Sequence, residues 1–257
     1  MTTSTFSGTT FSGRTALVTG AGRGIGRAIA VELAGRGARL ALLSRSAGQL
    51  DETAALVRSH GSEAYVLPAD LGDREAPAGV ARRVFDDFGP VDILVNNAAV
   101  VWPLGPSVSI DPAAWAHSFD LNVSAPMALT FALLPDQLRQ GWGRVVNVSS
   151  GVVARPGSMI GGNAYVTAKT ALEAHTVNLA AEVRGTGVTA NVFRPGSVDT
   201  GMQAWIRGQE PEAIGPALHE RFTRTYAEGA LITPEHSARA LLDRLPGDDN
   251  GQIWDVA

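Results

Sequence analysis

Thr15-Ala16-Leu17-Val18-Thr19-Gly20-Ala21-Gly22-Arg23-Gly24-Ile25-Gly26 decides the fold of this 257-residue chain. The first four residues form a short apolar run, which Thr19-Gly20 ends. Ile25, Ala28, Ile29 and Leu33 then recur at helical spacing until Gly35 and Gly37 stop the pattern. A strand therefore passes through a glycine-rich turn into a helix. Glycines let the backbone turn sharply and let an anion approach the first N–H groups of the helix, where the macrodipole favours negative charge. The spacing, Gly20-xxx-Gly24-x-Gly26, differs from the common G-x-G-x-x-G. Taken alone, the cluster fits a tight strand-to-helix turn as well as a phosphate cradle.

Downstream the same alternation repeats. Leu40 to Leu43, Ala64 to Leu67, Val91 to Val95, Arg144 to Val148 and Val188 to Phe193 are short apolar runs. Between them lie helical patterns over Gln49 to His60, Asp73 to Phe88, Pro112 to Leu134 and Asn163 to Arg184, with Asp111 as N-cap and Pro112 in the first position of the third. Gln252 to Val256 reads as a last edge strand. Strands apolar throughout, each followed by a helix, imply a parallel sheet covered on both faces. The expected fold class is α/β: one doubly wound sheet, with ligands at the carboxyl ends of its strands. A polar tail over residues 1–13, a single domain over 14–257 and a lid over 200–231 complete the expected organisation. The lid stretch breaks the rhythm with Trp205, Pro211, Pro216, Phe222 and Tyr226.

Composition excludes several classes. No cysteine means no disulfide framework, no thiolate-held zinc and no thiol nucleophile. The chain has 21 Lys+Arg against 25 Asp+Glu, a net charge of -4, which argues against nucleic-acid or membrane-surface partners. No apolar run approaches a membrane span, and residues 1–13 lack the basic start and apolar stretch of a secretory signal, so a cytoplasmic location is expected. The five histidines are scattered with no metal spacing, and no metal is expected.

Chemistry gathers later in the chain. Tyr165-Val166-Thr167-Ala168-Lys169 puts a phenol and an ammonium one helical turn apart. A cation beside a phenol lowers its pKa and makes a general acid/base usable near neutral pH. An amphipathic helix can also place the pair together by chance. Upstream, Asn147-Val148-Ser149-Ser150 closes a strand at the end where catalytic groups belong in this architecture.

With these residues the chain resembles the short-chain dehydrogenase/reductase family, of the classical type, with a Rossmann-type fold. Thr19 to Gly26 resembles its cofactor loop, Asn96-Asn97-Ala98-Ala99 its NNAG motif and Arg194 to Thr200 its PG motif. The resemblance implies Asn122, Ser150, Tyr165 and Lys169 as catalytic residues. It implies cofactor contacts at Gly20, Arg23, Gly24, Ile25, Gly26, Asp70, Leu71, Asn97, Ala98, Pro195, Gly196, Val198 and Thr200, beside Tyr165 and Lys169. Ser150 would hold the substrate oxygen and Tyr165 would exchange its proton. Lys169 would tune Tyr165, and Asn122 would hold a water linking Lys169 to solvent. Two departures stand out. Ala99 replaces the last Gly of NNAG, and Tyr165 follows Ser150 by 15 positions, which points to extra residues within 155–162 next to the substrate.

Cofactor choice is read at the end of the second strand. An NAD site places a carboxylate there for the ribose 2′-OH. This chain has Ser44-Arg45, a hydroxyl and a cation suited to a 2′-phosphate, with Arg23 near by. NADP(H) is therefore expected, with NAD as the alternative. The implied activity is interconversion of a carbonyl and an alcohol on a small, largely apolar substrate. Trp102, Met159, Trp205 and Ile206 are candidate pocket edges and Arg155 a candidate substrate contact. A homotetramer or homodimer assembled through the two long helices is implied by resemblance. Two other readings stand beside it: a non-catalytic dinucleotide-sensing regulatory or scaffold protein, and an isomerase, dehydratase or epimerase with bound nicotinamide.

Overall fold

A computed structural model describes residues 10–256. Strands and helices alternate from the start: β1 (Thr15–Thr19), α1 (Gly24–Gly35), β2 (Arg39–Ser44), α2 (Ala47–Ser59), β3 (Ala64–Pro68), α3 (Ala76–Phe88) and β4 (Ile93–Asn96). Next come α4 (Pro112–Phe119), a π-helical turn over Asp120–Ser124, α5 (Ala125–Gln140), β5 (Gly143–Val148), α6 (Asn163–Glu182) and β6 (Val188–Arg194). The chain ends with α7 (Gly201–Arg207), α8 (Pro211–Ile214), α9 (Pro216–Ala227), α10 (Pro234–Leu242) and β7 (Ile253–Asp255). The seven strands form one sheet in the order β3-β2-β1-β4-β5-β6-β7, and every pairing is parallel.

The period-2 pleat sends neighbouring apolar residues to opposite faces. Ala16, Val18, Leu40 and Leu42 pack under α1, α2 and α10, whereas Leu17, Ala41, Leu43 and Leu94 pack under α3, α5 and α6. This double burial is why the strands read as unbroken apolar runs, and the expected doubly wound α/β sheet is what the chain forms. Truncating a fully buried residue such as Leu17 to Ala would cost roughly 2–5 kcal/mol. All strands point the same way, so Thr19, Ser44, Asn96, Val148 and Arg194 end at one edge. Strand order reverses at β1, between β2 and β4, and opens a crevice there.

Three elements depart from expectation. The tail expected over 1–13 is packed by Phe11, which is 1% exposed and donates its N–H to the Arg36 carbonyl at 2.9 Å; residues 1–9 lie outside the described residues. The single helix expected from Pro112 to Leu134 is α4 and α5 joined by the π turn, and it runs on to Gln140 despite Pro135. Buried Gln137 donates to the Val91 and Asp92 carbonyls at 3.3 and 3.2 Å and anchors that last stretch. The sequence reading did not anticipate α10. Its signal was present in Thr233-Pro234-Glu235, where the Thr233 hydroxyl caps the His236 N–H at 3.1 Å.

Candidate active site

The crevice is a cleft of about 1040 Å³ along the carboxyl edge of the sheet. Its floor is set by one hydroxyl. Thr19 Oγ1 accepts the N–H groups of Asn97 and Ala98, both at 2.9 Å, while Asn97 Nδ2 donates to the Thr19 carbonyl at 2.9 Å. These bonds lock the loop after β4 onto the loop after β1. They also explain the glycines. Gly20 sits at φ +66 with Asn97 Nδ2 only 2.8 Å from where a Cβ would be, and a Cβ on Gly26 would lie 2.3 Å from the Gly20 carbonyl oxygen.

At the start of α1, Arg23 is extended and gives no side-chain cap, and no acidic residue stands in the first turn. The N–H groups there are left for an anion, so the cradle suits a pyrophosphate. Of the expected cofactor residues all line the cleft except Gly26, which lies behind the loop and lets it close. At the adenosine end Asp70 accepts the Gly72 N–H at 2.9 Å and stands 3.8 Å from Arg45. Ser44 lies beside Gly22, whereas the Arg23 guanidinium lies against Gly201.

At the other end Ser150, Tyr165 and Lys169 all face the cleft. Tyr165 and Lys169 stack one turn apart on α6, with Lys169 Nζ 5.8 Å from the Tyr165 ring centre. Nζ donates to the Val148 carbonyl at 2.8 Å, so the ammonium is docked on the end of β5. Burial pushes the Tyr165 phenol up to about 12, and the Ser150 hydroxyl draws it back in part. Burial also pushes Lys169 down to about 8, against the pull of Glu173. The lowering of Tyr165 by Lys169 expected from their spacing is not seen: desolvation raises the phenol and only the Ser150 hydroxyl opposes it. Val101, Met159, Ile206, Ile214 and Leu218 form an apolar cluster with Tyr165, which is how the 200–231 segment seats on the site.

Asn122 sits in the turn between α4 and α5. It is fully buried in the π turn and is absent from the cleft lining. Its Nδ2 donates to the Val100 carbonyl at 2.8 Å and its Oδ1 accepts the Val100 N–H at 3.1 Å. The amide brackets the loop beside the site. Of the candidate pocket edges, Met159 and Ile206 line the cleft and Trp102 and Trp205 do not; Arg155, the candidate substrate contact, also lines it. Sequence reasoning missed Thr19, whose strand-end position was its signal, and a buried trio of Ser149, Glu173 and Arg194. Among the described residues no cluster of His, Asp and Glu is arranged to hold a metal.

A dinucleotide cradle, a buried Tyr/Lys pair and a strand-end serine on a doubly wound sheet define an oxidoreductase-type site. The family model for short chain dehydrogenases matches residues 14–211, and the chain belongs to that family. It is 37% identical over 194 residues to a short chain dehydrogenase of Pseudocercospora fijiensis, covering 75% of this chain and 62% of that relative's length. A Beutenbergia cavernae protein assigned as an NAD(P) dependent gluconate 5-dehydrogenase, with NADP bound at low occupancy, superposes with a TM-score of 0.81 at 32% identity over 95% of both chains. NAD+-bound xylitol dehydrogenase gives 0.83 at 26% identity over 96% of this chain and 98% of that one. Nothing among these relatives supports the non-catalytic sensor. Among the described residues no helix is long and apolar enough to cross a membrane.

Proposed function

We propose that the chain is an NADP(H)-preferring oxidoreductase that interconverts a carbonyl and an alcohol on a small, largely apolar substrate. One observation carries the reading: a single cleft joins the glycine cradle and Ser44/Arg45 at one end to Ser150, Tyr165 and Lys169 at the other. When bound, the nicotinamide supplies the hydride. The protein's own part is position and protons. Ser150 Oγ–H holds the substrate oxygen against Tyr165. In reduction the Tyr165 hydroxyl gives its proton to that oxygen as negative charge develops on it, and in oxidation Tyr165 takes the proton back. A phenol held near 12 is protonated at neutral pH, so the resting chain is set to donate. The Lys169 ammonium stabilises the phenolate that donation leaves. Met159, Met202, Ile206 and Phe222 line this end, which supports an apolar substrate body, and Arg155 lies at its edge.

The 200–231 segment acts as the lid over the substrate. We place the protein in the cytoplasm as a homotetramer or homodimer assembled through α5 and α6, where exposed Phe131 and Val177 offer apolar contact. Tyr165→Phe tests the reading: cofactor binding is retained and turnover on the best carbonyl falls ~10²–10⁴-fold. Wild-type turnover by this variant sinks the assignment.

A further inference from the structure

We propose that Glu173 is a positioning residue of this site: clamped by Arg194, it holds the end of β5 that carries Val148, Ser149 and Ser150, and thereby the seat of Lys169. Glu173 lies one turn beyond Lys169 on α6 and is 6% exposed. Oε1 accepts the Ser149 hydroxyl at 2.6 Å and Arg194 Nε at 2.8 Å, and Oε2 accepts Arg194 Nη2 at 2.7 Å. Lys169 meanwhile grips the Val148 carbonyl. One helix face thus holds two consecutive residues immediately before Ser150, by Lys169 on the first and Glu173 on the second. The Ser149 N–H closes the ring by donating to the Phe193 carbonyl at 2.7 Å, next to Arg194 on β6.

The charged groups about Glu173 are Lys169 on its own helix and Arg194 from β6, with Asp255 of β7 behind Arg194 at 3.5 Å. Stability does not explain such a pair. A buried ion pair loses much of its attraction to desolvation, and apolar replacements are often as stable. What the pair does provide is a fixed, bidentate geometry between a helix and two strand ends. The Glu173 charge also opposes the burial that lowers Lys169.

Lys169 is the only lysine of the chain, so ¹³C-lysine labelling gives one ε resonance whose titration is read directly. The proposal rests on the oxidoreductase reading only for its kinetic arm. In Glu173→Gln the Lys169 midpoint falls by roughly half a unit or more, and kcat falls about fivefold or more with the NADPH KM within about twofold. The double variant Glu173→Gln/Arg194→Gln removes both members of the ion pair, so Arg194 is not left uncompensated; it regains melting temperature but neither kcat nor the Lys169 midpoint. Ser149→Ala cuts only the strand-side bond and lowers kcat about threefold with the midpoint unchanged. Recovery of kcat and midpoint in the double variant makes the pair merely structural and overturns the proposal. So does an unchanged midpoint in Glu173→Gln, or unchanged kcat in Ser149→Ala should Glu173→Gln fail to fold. If no carbonyl or alcohol supports turnover of NADPH or NADP+ by the unmodified chain, the oxidoreductase reading falls, and the Lys169 titration still decides the placement.

Discussion

Arg45→Asp should invert cofactor choice, and the size of the effect follows from how Arg45 is held. Its side chain is 72% exposed and its one carboxylate neighbour, Asp70, is 53% exposed at 3.8 Å. An exposed pair of this kind contributes about 0–1 kcal/mol. Contact between a guanidinium and a 2′-phosphate contributes about 1.5–3 kcal/mol. Giving up Asp70 for the phosphate therefore nets about 1–2 kcal/mol, or roughly 5- to 30-fold in favour of NADPH. The aspartate removes that gain and adds repulsion, so the ratio of kcat/KM for NADPH over NADH should drop roughly 10–100-fold. Ser44 supplies a hydrogen bond without charge and remains in the variant. Arg23, whose guanidinium lies against Gly201, also remains in the variant. Parallel kinetics with both cofactors, one carbonyl and fixed ionic strength measure the ratio. Raising salt should narrow the NADPH advantage of the unmodified protein, because the contact is exposed. A ratio that Arg45→Asp leaves unchanged, or an unmodified protein that uses NADH equally well, refutes the reasoning.

Gly26→Ala should weaken NADPH binding about tenfold or more and cost roughly 1–3 kcal/mol in urea unfolding, since its Cβ would sit 2.3 Å from the Gly20 carbonyl oxygen and 2.5 Å from Asn97 Nδ2. Normal fluorescence titration by NADPH would disprove the close approach. Between about pH 8 and 10.5 the unfolded chain keeps the Lys169 proton that the folded chain has released, so stability should rise with pH there. Lys169→Met should abolish that rise, and urea melts across the window that match for both proteins contradict it. From pH 10 toward about 12 the sign reverses, because folded Tyr165 keeps a proton that the unfolded chain loses. Limited proteolysis should cut within 200–231 first in the free protein and be suppressed by cofactor plus carbonyl; equal rates in both conditions speak against a lid.

Strands and their direction were readable because each is apolar on both faces, which only a sheet sandwiched by helices requires. The glycine loop and the Tyr165/Lys169 pair were equally plain, being local in sequence. What escaped was long-range. Glu173 reads as one polar position of a helix, since its partners Ser149 and Arg194 lie 24 and 21 residues away. The π turn around Asn122 escaped as well, because its wider winding departs from regular helical spacing. The stretch of α5 past Leu134 escaped too, because it is anchored by buried Gln137 on the distant Val91 and Asp92 carbonyls. Desolvation of Tyr165 likewise depends on the 200–231 segment folding over it, which periodicity does not encode.

A chain whose single side-chain amine is 2% exposed at the centre of its cleft has an unusual relation to acylating reagents. Its arginine guanidinium groups are left untouched by activated esters and aldehyde cross-linkers under mild conditions. Modification at Lys169 therefore proceeds only as fast as the cleft opens, and the yield of that one adduct over time becomes a clock for local opening. Occupants of the cleft would slow the clock in proportion to their residence.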